Sequence, residues 1–243
     1  MGSLESLIRS IEAEPLESSG HVYHPIPFDN FKHLRSATHP RAAYRKYNLI
    51  QSALPFEDLK GKKVLDIGAN AGFFSYKFAQ LGAHVDAIEP HRRYYELGLQ
   101  VTACYGIDVS WYNQSIDIEF LRGRRYNIAL MLSVFQWMSK GNSELDRAKL
   151  ILREISKRAD YLFFELGCNW GSSAIEVKEP ALRWIFGLLK ENTVYSGIWY
   201  LGTTRPWGGI KTRWRFRRYL FCCTDLAVHL NTWQRLVTRL IHK

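Results

Sequence analysis

The stretch Lys62–Pro90, KKVLDIGANAGFFSYKFAQLGAHVDAIEP, decides the fold. Val64, Leu65 and Ile67 surround Asp66 in a short apolar run of the kind a buried parallel strand shows. Gly68-Ala69-Asn70-Ala71-Gly72 make a tight turn, Phe73 to Leu81 read as a helix, and His84 to Glu89 give a second strand ending on a carboxylate. Strand, helix and strand form one βαβ unit. Open α/β sheets bind ligands outside the carboxyl ends of their strands, where glycines let the backbone come close and the next helix begins. An acid closing the second strand can accept two hydrogen bonds from a ribose diol, so Glu89 points to a nucleoside. The glycine spacing is not the G-x-G-x-x-G of dinucleotide sites, and Asp66 in the turn would repel a pyrophosphate while attracting an ammonium group.

These residues resemble the class I S-adenosylmethionine (SAM)-dependent methyltransferases. The first motif of that family runs acid-x-Gly-x-x-x-Gly, matched by Asp66, Gly68 and Gly72, and its second ends on an acid, matched by Glu89. The resemblance implies a Rossmann-like α/β fold, with a seven-stranded, mostly parallel sheet flanked by helices, and SAM as the cofactor. It places Asp66 and the Gly68–Gly72 backbone near the methionine moiety and Glu89 on the ribose hydroxyls, with Phe73, Phe74 and Pro90 alongside. Gln114 or Ser115 falls where the family holds the adenine, and Ser133 ends the fourth strand on the same side. Asn70 stands where many members carry glycine; asparagine tolerates the left-handed conformation, so the turn survives. The competing reading is a Rossmann-like unit that binds NAD or nothing.

A length of 243 residues suits one sizeable α/β domain plus an extension. We expect an N-terminal helical extension over 1–60, covering the cofactor, and the methyltransferase domain over 61–243. Leu4–Ala13 and Arg41–Ala53 read as helices, and Tyr44 and Tyr47 either line the pocket or pack beside the sheet. No apolar run reaches the roughly 18 residues of a membrane span, and the acidic start, MGSLESLIRSIEAEPLESSG, lacks the regions of a secretory signal. A cytoplasmic protein is expected, with peripheral contact at the inner membrane surface as an extension of that reading. Cys104, Cys168, Cys222 and Cys223 have neither zinc-type nor disulfide-type spacing, no metal is expected, and the adjacent pair reads as a core thiol beside a surface or sheet-packing one. A net charge of +10 favours an anionic partner: RNA, a phosphorylated glycan or an anionic membrane.

Further along, strands are expected near Ile107–Tyr112, Asn127–Val134 and Tyr161–Leu166, with helices over His91–Tyr105, Ser143–Lys157 and Val177–Lys190, the last broken at Pro180. Val194–Gly202 and Lys211–Cys223 then read as a closing antiparallel hairpin. Thr224-Asp225 is expected to cap a final helix to Ile241, with Leu226, Leu230, Trp233, Val237 and Leu240 packing as one stripe on the sheet.

A narrower resemblance bears on the acceptor. Gly72-Phe73-Phe74-Ser75, Leu132-Ser133-Val134-Phe135 and Phe164-Glu165-Leu166 are similar to segments of the methyltransferase domains of O-antigen chain-terminating methyltransferase-kinases and related glycan-modifying enzymes. That group often carries a His-His pair where this chain has Gln136-Trp137. The resemblance implies O-methylation of a glycan hydroxyl or glycan phosphate, with other glycan-assembly enzymes as possible partners. A hydroxyl acceptor benefits from a general base, for which Glu165 is the first candidate and His91 a poor second, with Gln136 beside it. A phosphate acceptor needs positioning and charge neutralisation, for which Arg205, Arg213 and Arg215 are candidates, while Trp137 and Trp207 can stack on a sugar or base. The plainer alternatives are a solvated arginine face, tryptophans that close the core, and a Glu165 that holds loop N–H groups. RNA methylation is the weaker enzymatic reading, supported by interleaved Arg and Trp at 213–218, and a non-catalytic SAM-binding scaffold is the non-enzymatic one.

Overall fold

The computed structural model describes residues 4–169, 174–204 and 217–242. Its seven strands form one sheet in the order β3-β2-β1-β4-β5-β7-β6, mostly parallel with an antiparallel closing hairpin, and helices flank it. The chain divides into two compact units, 1–47 with 58–115, and 48–57 with 116–243.

The first unit begins with α1 (Leu4–Ala13), which buries Leu7 and Ile11. A 3-10 turn at Asp29–Phe31 precedes α2 (Pro40–Ala53), whose residues from Asn48 onward belong to the second unit. The βαβ unit follows as β1 (Lys63–Ile67), α3 (Phe73–Ala79) and β2 (His84–Ile88), then α4 (Arg92–Tyr105) and β3 (Val109–Tyr112). The pairing is parallel, with Asp66 opposite Ala87 and Ile88 opposite Tyr112. Val64, Leu65, Val85 and Ala87 are buried, as apolar parallel strands covered on both faces require.

The second unit holds α5 (Ile118–Leu121), capped by Asp117, then β4 (Tyr126–Leu132), α6 (Phe135–Met138), α7 (Leu145–Ser156) and β5 (Ala159–Leu166). α8 (Ala181–Asn192), β6 (Ile198–Thr204), β7 (Arg218–Cys223) and α9 (Thr232–Ile241) complete it. Parallel pairing sets Leu132 opposite Glu165, and antiparallel pairing sets Glu165 opposite Leu220 and Thr204 opposite Arg218. Among the described residues no helix is long and apolar enough to cross a membrane.

Several boundaries differ from the sequence reading for local reasons. α8 starts at Ala181, not Val177: Pro180 disfavours helix at the residue before it, and Val177 instead exchanges backbone bonds with the Asn169 side chain at 2.7 and 3.0 Å. β6 starts at Ile198 because the Val194 N–H goes to Ser156 Oγ, while those of Ser196 and Gly197 go to Asp225. Asp225 is therefore committed elsewhere and does not cap α9. Asn231 does, in a capping box with Gln234, so the helix begins six residues after the start that an Asp225 cap would give. The expected stripe also fails to pack: of its members Val237 is buried, whereas Leu226, Trp233 and Leu240 are more than half exposed. Cys222 and Cys223 are both buried, since β7 lies between β5 and β6 and is covered on both faces. The part of the expected strand at 211–216 lies outside the described residues, as do Arg205, Trp207, Arg213 and Arg215.

Candidate functional site

In the first unit the turn after β1 is built by left-handed residues: Gly68 at φ 70°, Asn70 at 54° and Gly72 at 83°. Asn70 helps hold its own conformation, since its Oδ1 accepts the Ala71 N–H at 2.8 Å. Gly72 is required twice over, by its φ and because a Cβ there would lie 2.4 Å from Cζ of Tyr76. The N–H groups of this turn are already engaged. Gly68 and Ala69 donate to Ile88 O, Gly72 donates to Ala69 O, and Asn70 donates to Glu89 Oε2 at 2.7 Å. A phosphate cradle offers such N–H groups to its ligand; this turn directs them inward.

What the turn offers is carboxylate. Glu89 is buried just beyond β2, its Oε2 accepting from Asn70 and its Oε1 from the His91 N–H at 2.8 Å. A carboxylate has about four acceptor positions, so both oxygens keep capacity for a pair of hydroxyls. Asn113 donates to the backbone oxygens of Glu89 and Pro90 at 2.9 and 3.1 Å, which fixes the strand end. Burial raises the Glu89 pKa above the usual carboxylate value, and the two backbone donors oppose that rise.

Asp66 lies in β1 and is almost fully buried. Its Oδ2 accepts the Ser75 hydroxyl at 2.7 Å, and the Ser75 N–H also donates to it. Burial pushes Asp66 up to about 6; Ser75 and the positive charge of Lys46 pull the other way, and Glu89 adds to the rise. Lys46 is itself buried in α2, its Nζ 5.6 Å from the centre of the Phe74 ring. Phe73 and Phe74 are buried and serve as a wall: Tyr44 meets Phe73 edge-on at 5.0 Å and His24 meets Phe74 edge-on at 5.8 Å. The segment before α2 is tied to α4 through Tyr94, which donates to Glu17 at 2.6 Å and accepts the Tyr23 N–H at 2.9 Å. Pro90, Gln114 and Ser115 are exposed beyond the ends of β2 and β3.

In the second unit a polar cluster sits at the ends of β4, β5 and β6. Glu165 is fully buried and accepts hydrogen bonds from the hydroxyls of Ser133 and Thr204. Ser133 adopts φ 61°, a left-handed conformation that is unfavourable for a residue with a Cβ and common where function demands a fixed geometry. It is held there by its N–H donating to Glu165 O at 2.9 Å and by Gln136 Nε2 donating to its carbonyl at 2.8 Å. Gln136 Oε1 is buried and has no hydrogen-bond partner among the described residues. Trp137, the next residue of α6, is 63% exposed.

No protein-family model matches the chain. The bifunctional kinase-methyltransferase WbdD superposes with a TM-score of 0.66 over 92% of this chain and 48% of its own, at 16% identity. The magnesium protoporphyrin IX methyltransferase ChlM of Synechocystis, solved with bound SAM, gives 0.52 over 76% of this chain and 78% of its own, at 19% identity. This is the fold of the class I SAM-dependent methyltransferases. The 16S rRNA N2 G1207 methyltransferase RsmC of T. thermophilus, solved with AdoMet and guanosine, shares this methyltransferase fold at 0.54, covering 76% of this chain and 43% of its own at 16% identity. By sequence, a tRNA U34 carboxymethyltransferase of Campylobacter hominis is 46% identical over 41 residues, which is 17% of this chain and 13% of that protein. The chain thus spans about half the length of WbdD and a small part of the tRNA enzyme.

Within this methyltransferase fold, Asp66, Gly68, Asn70, Gly72 and Glu89 converge on one turn, and Ser133, Gln136 and Glu165 on one polar cluster. Sequence reasoning missed Ser75, Lys46 and Thr204. Ser75 carried a usable signal, lying in the first turn of the helix that follows the glycine turn. Thr204 carried none, because it reaches Glu165 only through the register of the closing hairpin.

Proposed function

We propose that this chain is a SAM-dependent O-methyltransferase that acts on a glycan hydroxyl or a glycan phosphate. The observation that carries the cofactor assignment is the glycine turn, whose N–H groups are directed inward while Glu89 and Asp66 lie buried beside it. That set suits a ligand bringing a cation and a ribose diol and does not suit a pyrophosphate. Glu89 would hold the ribose, the backbone around Gly68 and Asn70 would border the methionine portion, and Asp66 would supply the negative field facing the ammonium group. When bound, SAM supplies an activated methyl group and a neutral thioether leaving group.

The chain's own task is then to orient the acceptor and manage one proton. With a hydroxyl acceptor, Glu165, which Ser133 and Thr204 hold in place, would take the hydroxyl proton, and Gln136 Oε1 would accept a hydrogen bond from a second hydroxyl of the glycan. With a phosphate acceptor no base is needed, and Glu165 is a positioning residue. The glycan reading is supported by the segments that resemble the O-antigen group, since Ser75, Ser133 and Glu165 within them are the residues bonded at the two polar centres.

A transfer assay with radiolabelled SAM tests this, using a panel of neutral oligosaccharides, their phosphorylated forms and bulk tRNA. Transfer to either glycan supports the proposal, and a Glu165→Gln variant that loses transfer to the unphosphorylated oligosaccharides while keeping transfer to the phosphorylated ones identifies the hydroxyl route. Transfer to tRNA alone overturns the glycan assignment in favour of the RNA reading, which the 41-residue match to a tRNA-modifying enzyme supports.

A further inference from the structure

A surface helix ordinarily buries its apolar side and exposes its polar side. α9 does the reverse. Its inward face is Gln234, Val237 and Thr238, and it is fastened through polar bonds: Gln234 Nε2 donates to Leu201 O at 2.9 Å, and Thr238 Oγ1 accepts the Tyr200 N–H at 3.1 Å. The outward face carries Trp233 at 62% exposure, Leu236 at 56% and Leu240 at 57%, one helical turn apart in sequence and therefore in one stripe. Arg235 and Arg239, both exposed, lie together along one side of that stripe, and residues 226–242 contain no Asp or Glu.

We propose that α9 is an interfacial helix that docks this protein on a bilayer bearing anionic headgroups. Trp and Leu on the outward face would enter the headgroup–acyl boundary, and the two arginines would remain at the level of the phosphates. The absence of acid along the stretch and the net charge of +10 give the charge complementarity. A second copy is a poorer occupant, because a two-fold contact through this face would bring like arginines together. RNA is poorer too, because Leu236 and Leu240 offer it neither charge nor a stacking surface. The inference does not rest on the methyltransferase reading.

Co-sedimentation of the full chain with vesicles of phosphatidylcholine alone, and of phosphatidylcholine mixed with phosphatidylglycerol, tests it. Binding is expected only to the anionic vesicles and should weaken as salt is raised. Arg235→Gln with Arg239→Gln should weaken it about 30-fold, at roughly five-fold per arginine. Trp233→Ala with Leu236→Ala should abolish it. Because Trp233 lies 6.3 Å ring to ring from Tyr200 and Arg235 Nε donates to Leu230 O, the melting temperature of each double variant is measured alongside to establish that it is folded. Should a variant unfold, quenching of wild-type tryptophan fluorescence by brominated lipid, compared with Trp233→Phe, reports the same insertion. Equal binding to neutral vesicles, binding that survives both double variants, no binding at all, or a dimer dispersed by these variants would each overturn the proposal.

Discussion

Asp66 gives the sharpest handle on the cofactor site, because its charge state is set by the fold. Burial holds its pKa at about 6, above an ordinary value of 3.8. A raised carboxylate means that folding favours the protonated form. The stability this provides is complete below about pH 4 and is lost as pH rises through about 6, a difference of about 3 kcal/mol at 1.36 kcal/mol per unit. A ligand that brings an ammonium group reverses the preference and selects the ionised form. Affinity for SAM should then follow the ionised fraction, about one-eleventh at pH 5 and ten-elevenths at pH 7, so binding tightens about ten-fold across that range. Asp66→Asn should bind more weakly at neutral pH, show little of this slope, and yet be more stable than the wild type without ligand. Isothermal titration across the range, with urea unfolding of both proteins at neutral pH, measures each term. A flat wild-type affinity profile, or an Asp66→Asn variant that is both less stable and equally pH-dependent, would refute the reasoning.

Three further outcomes follow from local geometry. Gly72→Ala should destabilise the protein by about 2–4 kcal/mol in urea unfolding, combining a left-handed φ with a Cβ forced against Tyr76. Thr204→Val removes one donor from the buried Glu165 and should cost about 1–3 kcal/mol; Thr204→Ser, which restores the hydroxyl, should recover most of it. Asn231→Ala should lower stability by about 1 kcal/mol through loss of the α9 capping box, seen as a lower melting temperature, with no change in cofactor affinity.

The sheet and the glycine turn were legible in the sequence because their signals are local. Apolar runs such as Val64–Ile67 and Ile128–Leu132 mark buried parallel strands wherever they occur, and the turn between Asp66 and Phe73 is written in its glycines. The chain after Pro180 was less legible because its boundaries depend on partners distant in sequence. Asp225 looks like a helix cap until it is seen to hold Ser196 and Gly197, and Thr204 looks like a loop residue until the hairpin brings it to Glu165. The apolar stripe of α9 reads as a packing surface by periodicity alone; which side of a helix faces inward was decided by Gln234 and Thr238, whose hydrogen bonds no periodicity encodes. Lys46 carries no local sign of burial in the sequence, and its place beside Phe74 follows from tertiary packing.

The central claim is that the Gly68–Gly72 turn and Glu89 bind SAM. The most direct measurement is calorimetric titration of the purified chain with SAM, for the wild type and for Glu89→Ala. One-site binding by the wild type, weakened at least ten-fold when the carboxylate proposed to accept the ribose hydroxyls is removed, is the predicted result. Saturable binding that Glu89→Ala leaves unchanged, or no heat of binding from a folded wild-type protein, would contradict it.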